Sequence, residues 1–213
     1  HIQKFEEYNF GSMWYTGIQN NQRHFGVFDS EFGWNQVVLN ALTGVTPSTI
    51  PGTNQLIDSE FSWNSSTWTT NSNSITKTHQ SSGALSGGNS LRVSVSNTGD
   101  YIMYQQSITD PVNGEPQAPG RTLLHLLKDE TYEISFMAKS LSGEGQLKIF
   151  LKDVNNLDNI FYESDVQSIS GNGETFSMFY THTGEIAMDV RFEFQLGLKQ
   201  QTLLLDKIVL KRQ

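Results

Sequence analysis

Apolar and polar residues alternate in short runs along much of the chain. In "DVRFEFQLG", Phe192, Phe194 and Leu196 share one side of an extended segment, and Arg191, Glu193 and Gln195 the other. In "GQLKIFLKD", Leu147, Ile149 and Leu151 oppose Lys148, Phe150 and Lys152. In "TYEISFMAKS", Tyr132, Ile134, Phe136 and Ala138 oppose Glu133, Ser135, Met137 and Lys139. A period of two marks a strand with one buried face. Helical periodicity is nearly absent. "GRTLLHLLKDE" (Gly120–Glu130) reads equally as a turn or two of helix and as strand then turn. The pattern predicts strands near Gln55–Phe61, Ile75–His79, Ser90–Ser96, Tyr101–Ile108, Thr131–Lys139, Gly145–Lys152, Thr175–Thr181, Met188–Gly197 and Thr202–Leu210. Turn residues separate them at "SGGN", "NTGD", "SGEG" and "GNGE". Short strands at this rhythm predict an all-β sandwich or barrel.

The last run, "LLLDKIVL", is aliphatic apart from Asp206 and Lys207. Strict alternation puts Asp206 on one face with Leu204, Ile208 and Leu210. A buried carboxylate must be paired, hydrogen-bonded or metal-bound.

"TGVTPSTIPGTN" (Thr43–Asn54) holds two prolines and reads as a linker. The organisation expected is a short N-terminal β segment over 1–50 and a main domain over 51–213. The first segment carries three Phe-Gly pairs and dense aromatics. About fifty residues is small for an independent core, so it is expected to pack on something else. The chain opens on His1 and is expected to be a fragment. "TDPVNGEPQAPGRTLLHLL" (Thr109–Leu127) holds three of the five prolines and is expected to be a fixed surface loop.

Charge narrows the function. Net charge is −8 with no basic run, which argues against a nucleic-acid partner. No apolar run reaches the length of a membrane helix, so no membrane partner is expected. Cysteine is absent, which removes disulfides, thiolate metal sites and a cysteine nucleophile. The five histidines are scattered without metal-ligand spacing. No nucleophile elbow, phosphate loop or dinucleotide fingerprint occurs. "DVNNLDN" (Asp153–Asn159) lacks the glycine and the twelfth-position glutamate of a calcium loop and reads as a hairpin connection. No enzymatic activity is expected.

Two readings are open for the polar faces of the alternating strands. One is a solvated outer surface, the usual fate of one side of an antiparallel sheet. The other is a sugar-binding floor, where Arg, Glu and Gln meet hydroxyls and Phe150 or Met137 meets the C–H faces of the rings.

The order of motifs resembles jelly-roll carbohydrate-binding modules of families 4, 9 and 22. "NQLIDSEFSWNSSTWTT" resembles their opening strand. "GGNSLRVSVSN", "YIMYQQSI", "LKDETYEISFMAKS", "GETFSMFYTHTGEIAMDVRFEFQLG" and "LLLDKIVLKR" follow in the same order over Asn54–Arg212. The resemblance implies a jelly-roll β-sandwich of two antiparallel sheets that binds a glycan, on a sheet or at a loop edge, without catalysis. The sheet candidates are Arg191, Glu193, Gln195, Lys148 and Phe150. Tyr101, Tyr104 and Tyr162 are aromatic candidates nearby, and Trp63 and Trp68 are expected in the core. Gln195→Ala with Arg191→Ala is expected to abolish binding at little cost in stability. The resemblance also implies one structural Ca2+ tying the first strand to the last, with Asp206, Glu60 and Asp58 as oxygen ligands. The family's glutamate after the Phe is here Ser62. The alternative is Asp206 held by backbone amides.

"WYTGIQNNQRHFGVFDSEFGWNQVVLN" resembles short strands of bacteriophage tail-fibre and head-fibre proteins, which build trimeric shafts. That resemblance implies a homotrimer formed through the N-terminal segment and a place on the virion. The expected function is therefore glycan-mediated host attachment by a phage fibre or tail. The alternatives are a polysaccharide-binding module of a secreted glycoside hydrolase and a spacer without ligand.

Overall fold

The computed structural model describes residues 28–29, 33–34, 52, 54–56, 58–61, 68–106, 124–187 and 189–213. The chain divides into two compact units. The first is His1–Ser48 with Asp110–Glu115, and the second is Thr49–Thr109 with Pro116–Gln213. In the first unit, β1 (Phe28–Asp29) and β2 (Gly33–Trp34) form a hairpin with Phe28 opposite Trp34. The other fibre-like motifs lie outside the described residues, as do Trp63 and most of the proline-rich loop.

The second unit is a sandwich of two antiparallel sheets, with no helix among the described residues. Its strands are β3 (Thr69–Thr70), β4 (Ile75–Gln80), β5 (Ser90–Val95), β6 (Ile102–Gln106), β7 (Glu130–Ser140), β8 (Gly145–Asp153), β9 (Ile160–Glu163), β10 (Gln167–Ile169), β11 (Glu174–His182), β12 (Val190–Gln195) and β13 (Gln201–Arg212). The first sheet runs β10-β8-β12-β6-β3, with β9 also on β8. The second runs β11-β7-β13-β5-β4. Eight of the predicted strands are present. The short β3, β9 and β10 are additional, because two to four residues give no readable period. Asp153–Asn159 is the β8–β9 connection, closed by Asp153 N–H donating to Asn159 O at 3.1 Å.

The core is built from the faces that alternation marks. Leu147, Ile149, Leu151, Phe192 and Phe194 of the first sheet meet Tyr132, Ile134, Phe136, Leu91 and Val93 of the second, all buried. Phe136 meets Phe194 edge-on at 5.4 Å between ring centroids, and Trp68 lies 5.8 Å from both Phe192 and Phe194. Each buried Phe or Leu contributes about 1.5–3 kcal/mol. The sandwich closes tightly where the backbones of 99 and 197 meet. A Cβ on Gly197 would fall 1.9 Å from the Gly99 carbonyl oxygen, so only glycine fits there.

Two expectations are corrected. Of the segment expected as a first strand, Gln55–Phe61, the described residues form no strand: an isolated bridge pairs Asn54 with Lys211 just before it, and Asp58 and Phe61 take positive φ at the turn that follows. Strict alternation also fails in β13. Leu203 and Leu205 face the core, and then a bulge between Asp206 and Val209 inserts one residue. Lys207 takes φ 46° and turns outward, so Ile208 and Leu210 face the core instead. Asp206 therefore lies on the outer row with Leu204, opposite Met137, and not with Ile208 and Leu210.

Candidate functional site: the outer face of the first sheet

Register assembles a grid on the outer face of β6, β12 and β8. Arg191 lies between Gln106 and Lys152, Glu193 between Tyr104 and Phe150, and Gln195 between Ile102 and Lys148. Five sequence candidates are thus side by side on one surface: Arg191, Glu193, Gln195, Lys148 and Phe150. Tyr104 joins them. Cross-strand neighbours at this spacing interact directly.

The centre of the grid is closed on itself. Glu193 is 1% exposed. Its Oε1 lies 2.7 Å from Arg191 Nε, and its Oε2 lies 2.8 Å from Lys152 Nζ. Arg191 is also buried, its guanidinium carbon 3.6 Å from the centroid of the Tyr104 ring. Lys152 Nζ sits 4.6 Å from the Phe150 centroid. Two cations thus bracket one carboxylate, and each cation rests on an aromatic face. Breaking such a buried cluster by removing one partner costs about 3–5 kcal/mol. The expectation that Arg191 can be removed at little cost in stability is therefore reversed.

The polar groups left for a ligand surround this knot. Gln195 and Gln106 are half-buried, and their amides bond to no other described residue. Tyr104 is half-buried as well, and Lys148 pairs with Glu163 at 2.5 Å. Lys152 and Gln106 were not singled out from the sequence. The signal for Lys152 was present, since it lies two residues beyond Phe150 on the same face. Gln106 becomes visible only through its register with Arg191.

Two aromatic candidates lie elsewhere. Tyr162 pairs with Leu151 and packs toward the core, its ring 5.3 Å from Tyr180. Burial, with Asp165 adding to it, pushes its phenol pKa up. Tyr101 also packs on the core, next to Gly99, and its carbonyl accepts from Leu196 and Gly197. Trp68 is in the core as expected.

The residues expected to hold calcium are arranged differently from an ion cage. Asp206 is fully buried. Its Oδ2 accepts from Ser86 Oγ at 2.8 Å and Ser90 Oγ at 3.0 Å, and its Oδ1 accepts from Lys207 N–H at 2.8 Å. Its acceptor positions face proton donors. Glu60 is exposed, and Asp58 sits in the turn before it. Among the described residues no three His, Asp or Glu side chains converge, so an ion here would also need backbone carbonyl or amide oxygens. Hydrogen bonds already make the tie between the opening segment and the last strand. Asn54 Nδ2 donates to Ile208 O at 2.8 Å, and Asn54 Oδ1 accepts from Leu210 N–H at 2.9 Å. Ser59 O accepts from Ile208 N–H at 3.1 Å.

No protein-family model and no curated protein sequence matches the chain. Solved structures do. The CBM22-1–CBM22-2 tandem domain of Paenibacillus barcinonensis Xyn10C is 14% identical with a TM-score of 0.54, over 78% of this chain and 48% of that one. The CBM22-1 and GH10 modules of Clostridium thermocellum endo-1,4-β-D-xylanase 10B, solved with xylohexaose, are 10% identical with a TM-score of 0.51, over 78% and 29%. Tailspike protein 4 of bacteriophage CBA120 is 13% identical with a TM-score of 0.52, over 75% and 21%. At these identities the likeness is one of fold, and the second unit has the jelly-roll fold of carbohydrate-binding modules.

Proposed function

We propose that the second unit is a non-catalytic glycan-binding module that takes a polysaccharide on the outer face of β6, β12 and β8. The grid itself supports this reading. A rigid charged knot on two aromatic faces carries uncommitted amides, Gln195 and Gln106, beside the half-buried Tyr104. Amides exchange hydrogen bonds with sugar hydroxyls in both directions, and the phenol ring offers an apolar edge to the pyranose C–H groups. Affinity electrophoresis on a panel of neutral and acidic polysaccharides tests it. At least one gel is expected to retard the wild type, and Gln195→Ala with Gln106→Ala to remove the retardation at unchanged thermal midpoint. Retardation that survives the double substitution moves the site to the loop edge. No retardation on any gel leaves a spacer.

The setting we propose is host attachment by a phage fibre or tail, on the virion. The N-terminal motifs and the tailspike likeness support it. A module of a secreted glycoside hydrolase is favoured by the likeness to the xylanase modules. A trimer formed through residues 1–50 supports the first setting, and a monomeric unit the second.

A further inference from the structure

Sheet edges expose unpaired backbone groups and are normally guarded. Three of the edges here are. In the first sheet, β3 is two residues long. At the other edge, β9 and β10 are four and three residues long, offset along β8 and broken by a bulge at Leu151–Lys152. In the second sheet, β4 carries Lys77 at a position paired with the core residue Val93, so its charge points inward. Lys77 Nζ donates to the Trp68 carbonyl, and burial lowers its pKa. An inward lysine is costly to bury under a new strand, which is how it protects an edge.

The opposite edge of that sheet is different. β11 is nine residues long and pairs with β7 position by position without a shift. It contains no Lys, Arg or Pro, and Glu174 is its one charged residue. Among the described residues its backbone is hydrogen-bonded only on the β7 side. Its core-facing row, Phe176, Met178 and Tyr180, is only half-buried, and Phe179 on the outer row is 63% exposed.

We infer that β11 is a docking edge for a second copy of this chain, the two strands pairing antiparallel about Met178. The strand complements itself in that register. Phe176 falls opposite Tyr180 of the other copy, Thr175 opposite Thr181, Ser177 opposite Phe179, and Glu174 level with His182. Aromatic pairs and threonine pairs are among the favourable cross-strand combinations, and no like charges meet. The half-buried apolar row is covered, and two five-stranded sheets become one of ten.

The test is molar mass by light scattering on the full chain across a wide concentration range. At high concentration the wild type is expected at twice the mass of Phe179→Lys and of Ser177→Lys, whatever the N-terminal segment contributes to both. The chain has no cysteine. Met178→Cys is therefore expected to form a disulfide-linked dimer on oxidation, and Thr175→Cys, whose partner is Thr181, is not. Equal masses for wild type and both lysine variants at every concentration would overturn the inference. Cross-linking of Thr175→Cys in place of Met178→Cys would overturn the register.

Discussion

Each sheet of the jelly roll buries one carboxylate on its outer row, and the two are held in opposite ways. Glu193, on the first sheet, is neutralised by charge: Arg191 and Lys152 bracket it, each backed by an aromatic ring. Asp206, on the second, is held by proton donors, two serine hydroxyls and one backbone amide, inside a bulge. In the first cluster the charge of the carboxylate is the bond. In the second, the shape and the acceptor pattern matter, and charge is secondary. A polar residue at a predicted functional position can thus be committed internally by either route, and the partners decide which.

Substitutions can separate the two. The largest effect is expected for Glu193→Ala, which strands two adjacent cations and should cost about 3 kcal/mol. On thermal melting, the midpoint should fall by about 6–12 °C, taking 2–4 °C per kcal/mol for a chain of this size. A loss below a third of that would mean the cations relax into water and the knot is not cohesive. Asp206→Ala comes next, at about 1–3 kcal/mol, for a buried amide and two hydroxyls left without their acceptor. Asp206→Asn is the sharper probe. Its amide can donate to the serines while its oxygen still accepts from Lys207, so the loss should stay under about 1 kcal/mol. If it matches the alanine variant, charge does hold Asp206 and the contrast with Glu193 collapses.

A third carboxylate sets the lower end of the scale. The hydrogen bond from Lys211 holds Glu133 below the usual glutamate range. Its contribution is present at neutral pH, because the folded-state pKa is depressed, and is lost as pH falls through the acidic range. Glu133→Gln should flatten that acidic limb slightly and cost no more than about 1 kcal/mol, as expected of a partly solvated pair. Calcium should change nothing: melting in excess calcium and in chelator should coincide. A rise of several degrees with calcium would return Asp206 to the role of a ligand.

The fold was legible in the sequence wherever one face of a strand is buried, because period two then survives intact, as in Phe192–Phe194 and Leu147–Leu151. It was not legible at Asp206. Periodicity assumes that the strand keeps its phase, and one extra residue inverts every assignment after it. Nor was it legible at Gln55–Phe61, where Phe61 closes a turn at positive φ and is buried in the core. The candidate surface was legible as a set of faces. What sequence alone could not show is that Arg191 and Glu193, two apart on one strand, would spend themselves on each other and on Lys152 from the neighbouring strand. Nor could it show that Tyr162 would turn inward while Tyr104 turned outward. Those facts live in the register between strands.

The bulge in β13 also acts as a positional lock. A uniformly alternating strand slid by two residues keeps all its apolar side chains facing the core, so such errors are only weakly penalised. A strand whose two halves are out of phase has one alignment in which both halves fit. Here that alignment is checked at three points by groups from elsewhere in the chain: the serines on Asp206, the Ser59 carbonyl on Ile208, and Asn54 clasping Ile208 and Leu210. The strand that lies between β7 and β5 is thereby held to one place.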